Sequence, residues 1–245
     1  TTDRLNVPRI DYTGGGCGKL LLEPQRTNLT TYSEDYTNAN WVATDASVTT
    51  NAIISPDGTQ NADKLNTNTT NNYHRIVGNA QATAIAAHTM SIFAKKGEYK
   101  YIGIAENNND VGYGVFDLNA GTVLTSGNGA TNVTIQNMGN GWYRCQLTFT
   151  AGAYSRFDIY AINDSYTSGN PAAYSFVGSL SNGLYIYGAQ LEAGSYVSSY
   201  IPTLASSVTR LADAASKTGI SSLIGQTEGT MFVEFFYNEQ NTIPS

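Results

Sequence analysis

Apolar and polar residues alternate with a period of two along several short segments of this chain, the pattern of strands that turn one face to a core. The clearest run is Tyr143 to Phe149. Tyr143, Cys145, Leu147 and Phe149 share one face there, and Trp142, Arg144, Gln146 and Thr148 the other. From Arg156 to Ile162, Phe157, Ile159 and Ala161 oppose Arg156, Asp158 and Tyr160, and the Ala-Gly-Ala link between the two runs predicts a hairpin. Thr89 to Lys95, Tyr99 to Ala105, Gly114 to Leu118 and Leu184 to Leu191 alternate likewise. Gly97, Asn119-Ala120-Gly121, Asn140-Gly141 and Asn182-Gly183 punctuate them with residues that take φ > 0 at low cost. Many short strands broken in this way predict an all-β chain, an antiparallel β-sandwich of jelly-roll type.

The ends read differently. Residues 1–29, with Pro8 and the Gly-rich loop from Thr13 to Gly18, form an N-terminal connector hairpin, and the sandwich spans 30–204. Residues 205–228 are a linker, in which Val208, Leu211, Ala212 and Ala215 take a helical spacing. Within 229–245, Met231, Val233, Phe235 and Tyr237 alternate against Phe232, Glu234 and Phe236. One strand makes no domain, so this one pairs with the body or a neighbouring chain, or begins a further sandwich.

Composition narrows the function. Charged residues are 13% of the 245, against roughly 25% in an average soluble domain, and Asn, Thr, Ser and Gly take their place. A net charge of -6 opposes nucleic acid as a partner. No apolar run approaches the ~20 residues of a membrane helix, so no membrane insertion is expected. Cys17 and Cys145 are expected as free thiols, the second in the core.

Catalytic signatures are lacking, and no enzyme activity is expected. Gly18-Lys19 is followed by Leu20, not Ser or Thr, and Thr13 stands where a phosphate-binding loop has its first Gly. No nucleophile motif accompanies His74 or His88, which read as exposed, hydrogen-bonded histidines. Glu23, Glu192 and Glu234 each sit in an apparent strand, a poor arrangement for a paired-carboxylate glycosidase site. The sequons at Asn28, Asn68, Asn132 and Asn163 are expected by chance in so Asn- and Thr-rich a chain. No cofactor is expected; Asn107 to Asp110 could supply oxygen ligands to a structural Ca²⁺.

Sugars are held by aromatic faces flanked by polar side chains, so outward-facing aromatics are the candidates. They are Tyr73, His74, Arg75, Tyr113, Trp142 and Tyr160, with Tyr185 and Tyr187 on the same reasoning. Trp142 doubles as a hairpin anchor, and Trp41 reads as core.

The order of several segments resembles bacteriophage tail-fibre and other virion proteins. They are Pro8-Arg9-Ile10-Asp11-Tyr12, the run Leu20 to Leu29, Ser91 to Gly97, Gly139 to Cys145, Tyr185 to Glu192, Ser199 to Thr203 and Val208 to Asp213. The resemblance covers Pro8 to Asp213. It implies a jelly-roll module related in fold to carbohydrate-binding modules, followed by a concanavalin-like sandwich whose first strand would lie in 229–245. It further implies a virion location after synthesis in a bacterial cytoplasm, host attachment through a cell-surface glycan, contacts with other virion proteins, and a homotrimer. Two other readings stay open: the carbohydrate-binding module of a secreted glycan-degrading enzyme, and a structural spacer without ligand.

Overall fold

The computed structural model describes residues 9–11, 17–106, 112–214, 216, 218 and 228. It divides into two units, Arg26–Arg210 and the combination of Thr1–Gln25 with Leu211–Ser245. In the smaller unit Ile10–Asp11 pairs antiparallel with Lys19–Leu20. The Arg9 guanidinium binds both Glu23 and Asp213 there. Asp213 also accepts from the Glu23 N–H at 2.8 Å and donates its own N–H to the Glu23 carbonyl at 2.9 Å. The strand expected around Met231 to Tyr237 and the Asn107 to Asp110 cluster lie outside the described residues.

The larger unit is an antiparallel sandwich of two six-stranded sheets. Its strands are β1 (Trp41–Thr44), β2 (Ala46–Ile53), β3 (Ala62–Thr67), β4 (His74–Gly78), β5 (Ala87–Lys95), β6 (Tyr101–Glu106), β7 (Gly112–Asp117), β8 (Thr122–Gly127), β9 (Thr131–Gly139), β10 (Trp142–Thr150), β11 (Phe157–Ile162) and β12 (Gly183–Ala193). Sheet I has the order β9-β10-β5-β12-β3-β2, and sheet II the order β8-β7-β6-β11-β4-β1. The chain changes sheet between β1 and β2, from β3 through β6 at every step, and again at β8/β9, β10/β11 and β11/β12, which is a jelly-roll winding. Asp45, at φ 49°, makes the first of these corners.

The alternating runs form strands in the expected phase. Cys145, Leu147 and Phe149 of sheet I meet Phe157, Ile159 and Ala161 of sheet II in one core, joined by Leu65, Met90, Ile92, Ile102 and Ile104. Trp41 is core as well, its indole N–H donating to the Tyr32 carbonyl at 3.0 Å. Burial of such side chains, worth about 1.5–3 kcal/mol each, makes the phase of each strand obligatory. Asn140 and Gly141, both at positive φ, close the β9–β10 hairpin as a two-residue turn. Gly97 and Gly183 serve another purpose: neither has positive φ, and a Cβ at Gly97 would lie 2.4 Å from the Gly183 carbonyl oxygen.

Three expectations are corrected. The segments around Tyr143–Phe149 and Arg156–Ile162 do not form a hairpin; β10 and β11 lie in different sheets. The link between them pairs instead with residues 81–83, where Thr83 binds the carbonyls of Gly152 and Ala153. Val208–Arg210 is strand, not helix, paired with Arg26–Asn28, and Leu211 and Ala212 are not helical. Both histidines are buried, not exposed. Cys17 and Cys145 are free thiols, Cys145 inside the core, where burial pushes its pKa up.

Each sheet's outer face is covered by a strap of chain. On sheet II, residues 163–175 set Tyr166 edge-on against Tyr101 and Tyr174, with ring centroids 6.3 and 5.0 Å apart. Pro171 closes over Gly103, where a Cβ would stand 3.0 Å from the proline ring. On sheet I, residues 194–203 are held by hydrogen bonds. Ser198 donates its N–H and hydroxyl to Glu192 at 2.8 and 2.7 Å, and the Ile201 N–H donates to the Gln190 side chain at 2.8 Å. Asn28 locks this strap to β12: its amide donates to the carbonyls of Ala189 and Ile201 and accepts from Thr30 and Leu191.

Candidate functional site

Outward residues of neighbouring strands fall into rows across sheet II. Arg75, Tyr160, Gly103 and Val115 form one, and Val77, Asp158, Ala105 and Tyr113 the next. Where these rows reach β4, Arg75 meets Asp158 and Tyr160. The Arg75 Nη1 donates to Asp158 at 2.7 Å and to the Tyr160 hydroxyl at 3.0 Å. Arg156 grips the same carboxylate with Nε at 2.8 Å and Nη2 at 3.2 Å. Desolvation pushes the Asp158 pKa up, and the two arginines pull against it. Two guanidiniums on one buried carboxylate are held in place by it, because moving either would leave charge unpaired.

The Arg75 guanidinium also lies 4.7 Å from the centroid of the Tyr73 ring, and Tyr73 stands edge-on to Tyr160 at 6.3 Å. Tyr73 is half-buried, and the Arg75 side chain keeps 14% exposure. Among the described residues Arg75 spends only Nη1, so Nη2 remains for a ligand. The result is a ring face beside fixed N–H donors, an arrangement suited to a hydroxylated ring.

Of the six residues predicted for ligand contact, four come together on this face: Tyr73, Arg75, Tyr113 and Tyr160. Only Tyr73 and Arg75 offer surface. Tyr160 is 1% exposed, and burial beside Asp158 pushes its hydroxyl pKa up. Tyr113, 9% exposed, packs with Tyr160 and Val115 and lies flat over Gly127, where a Cβ would stand 2.6 Å from its hydroxyl. His74 points to the other side of β4. It is fully buried, with Nδ1 2.5 Å from the Asp45 carbonyl and Nε2 3.1 Å from that of Phe176. Arg156 and Asp158 belong with the site although the sequence did not nominate them. Alternation turned both away from the core, but Asp158 lies 83 positions from Arg75, and nothing local announces that meeting.

Trp142 faces out from sheet I instead. It floors a cleft of about 320 Å³ between the Ile54–Gly58 loop and the β9–β10 turn. Its indole N–H donates to the Ile54 carbonyl at 3.1 Å, and Lys95 reaches the Asn140 carbonyl at 2.7 Å. Asp57 braces the loop. Burial works against its charge, yet hydrogen bonds from Thr59, Ser55 and the Tyr187 hydroxyl hold its pKa well below the usual carboxylate range. The Tyr187 hydroxyl also lies 3.0 Å from a Glu34 carboxylate oxygen, its one proton shared between Glu34 and Asp57, and Tyr185 lies 5.8 Å from the Lys64 ammonium, so both are packing residues of this face. Among the described residues no group of three His, Cys, Asp or Glu side chains is placed to hold a metal ion.

The fold defines the class of protein, an all-β jelly-roll sandwich with straps over both faces. No protein-family profile matches the chain. No curated protein matches it either. Among solved structures it is similar to a carbohydrate-binding module, TmCBM27, described for specific mannan recognition, with a TM-score of 0.31 and 12% identity over 71% of this chain and 98% of that one.

Proposed function

We propose that this chain is a non-catalytic segment of a phage tail fibre or spike that attaches to a host-surface glycan through the Tyr73–Arg75 end of sheet II. One observation carries the glycan reading: a half-buried tyrosine ring stacked on an arginine that buried Asp158 holds in place. The ring covers the C–H face of a sugar, and Nη2, the Arg75 nitrogen neither bonded nor buried out of reach, donates to a hydroxyl without further ordering of the side chain. The fibre placement draws on the motifs from Pro8 to Asp213 that resemble virion proteins, and it carries the expectation of a homotrimer, read by light scattering.

A glycan array probed with the wild type, Tyr73→Ala and Arg75→Gln tests the reading. Each substitution removes about 1–2 kcal/mol of contact and weakens binding about tenfold. Arg156 still pairs Asp158 in Arg75→Gln, so the fold persists, which a thermal melt checks. Undiminished binding by both variants removes this site.

A further inference from the structure

We infer that the Trp142 cleft of sheet I is a second carbohydrate subsite, specific for a single sugar-acid ring of the hexuronate class. Its volume, about 320 Å³, is at the lower end of ligand pockets and suits one ring. Ile54 and Met138, exposed by 59% and 42%, give it apolar flanks, and Trp142 closes the floor. Gly58 and Gly139 border it with open space: a Cβ on either would meet nothing within 4 Å.

The lining carries one formal charge, that of Lys95. Its ammonium has three donors and spends one on the Asn140 carbonyl, which leaves two directed away from that bond. The neighbouring carboxylate does not compete for them. Asp57 lies between two lining residues but turns to Ser55, Thr59, Asn61 and Tyr187. Three backbone groups of the walls are likewise spent. Gly58 N–H donates to Ser55, Gly139 N–H to Asn137, and the Ile54 carbonyl accepts from Trp142. A ligand that complements this lining brings a carboxylate to Lys95 and an aliphatic ring face to Ile54 and Met138.

The chain has two tryptophans, so the indole N–H resonances report the cleft directly. Trp142 stands in it, and Trp41, in the core, is the internal control. In titrations of the full chain to millimolar ligand, glucuronate and galacturonate should move the Trp142 resonance and leave Trp41 in place. Glucose and galactose should move it far less. Lys95→Gln should weaken the acids about tenfold, as loss of one charge-assisted contact predicts. An equal response to neutral sugars, or acid binding unchanged in Lys95→Gln, overturns the acid class. No movement of Trp142 with any sugar overturns the site. Tyr73→Ala and Arg75→Gln, on the other sheet, should leave the Trp142 response intact. A wild type silent on the array, or variants that bind it undiminished, with the Trp142 titration preserved, therefore removes the sheet II reading alone.

Discussion

The outer faces of the two sheets are built on the same backbone pattern and covered by opposite chemistry. Sheet II presents Tyr101, Tyr113, Val115, Tyr160 and Ile162, and its strap answers with Tyr166, Tyr174 and Pro171. Sheet I presents Glu192, Thr89 and Thr148 in one row and Gln190, Ser91 and Gln146 in the next, all buried, and over these its strap answers with backbone and hydroxyl donors, Tyr200 packing beyond them on Phe93 and Tyr187. Apolar surface is covered by anything apolar, whereas buried polar groups are stable only when partners are aimed at each. The sheet II strap is therefore expected to tolerate local rearrangement, and the sheet I strap to tolerate little.

Glu192→Ala tests the stricter side of that contrast and should have the largest effect. It strands the donors of Ser198 and Gln190 and removes the carboxylate 3.5 Å from the Arg26 guanidinium, at a cost of about 3–5 kcal/mol in urea denaturation. Tyr166→Ala on the other strap should cost about 3 kcal/mol, because it loses ring burial without stranding a charge. Equal losses, or the reverse order, would break the comparison.

Asp63→Asn probes the margin of sheet I and should stabilise the fold. Desolvation raises the Asp63 pKa to about 6, against the backbone N–H groups of Asn51, which donates to Oδ1 at 2.9 Å, and of Tyr36, which lies beside the carboxylate. A carboxyl whose pKa is higher folded than unfolded favours folding fully below the unfolded value near 3.8, and loses that contribution as pH rises through about 6. The substitution should thus raise Tm at pH ~8, by about 2 kcal/mol of stability, and change it little at pH ~4. Melts at both pH values decide it; a gain of the same size at both would place its origin outside the carboxyl's ionisation.

The strands and their phase were legible because a strand shows its two faces in consecutive residues. Cys145, Leu147 and Phe149 could be assigned to a core, and Asn140-Gly141 to a turn, from neighbours alone. The candidate site was half legible. Tyr73 and Arg75 keep part of their surface exposed, while His74, between them, turns into the protein, as alternation along β4 requires. Tyr113, Trp142 and Tyr160 do face away from the core, yet straps or loops bury them, and a period of two cannot show what covers an outward face.

By itself, then, the sequence determined an all-β chain, the side of each strand that is oily, and the tight turns, since these depend on residues within a few positions of one another. Only the tertiary structure decided that β10 and β11 part to different sheets, that Arg156 and Arg75 share Asp158, and that a strap crosses the outer face of each sheet. Those are matters of which distant surfaces meet, and many pairings satisfy the same local pattern. The choice among them rests on burying both faces of both sheets at once with every polar group in sheet I's rows supplied.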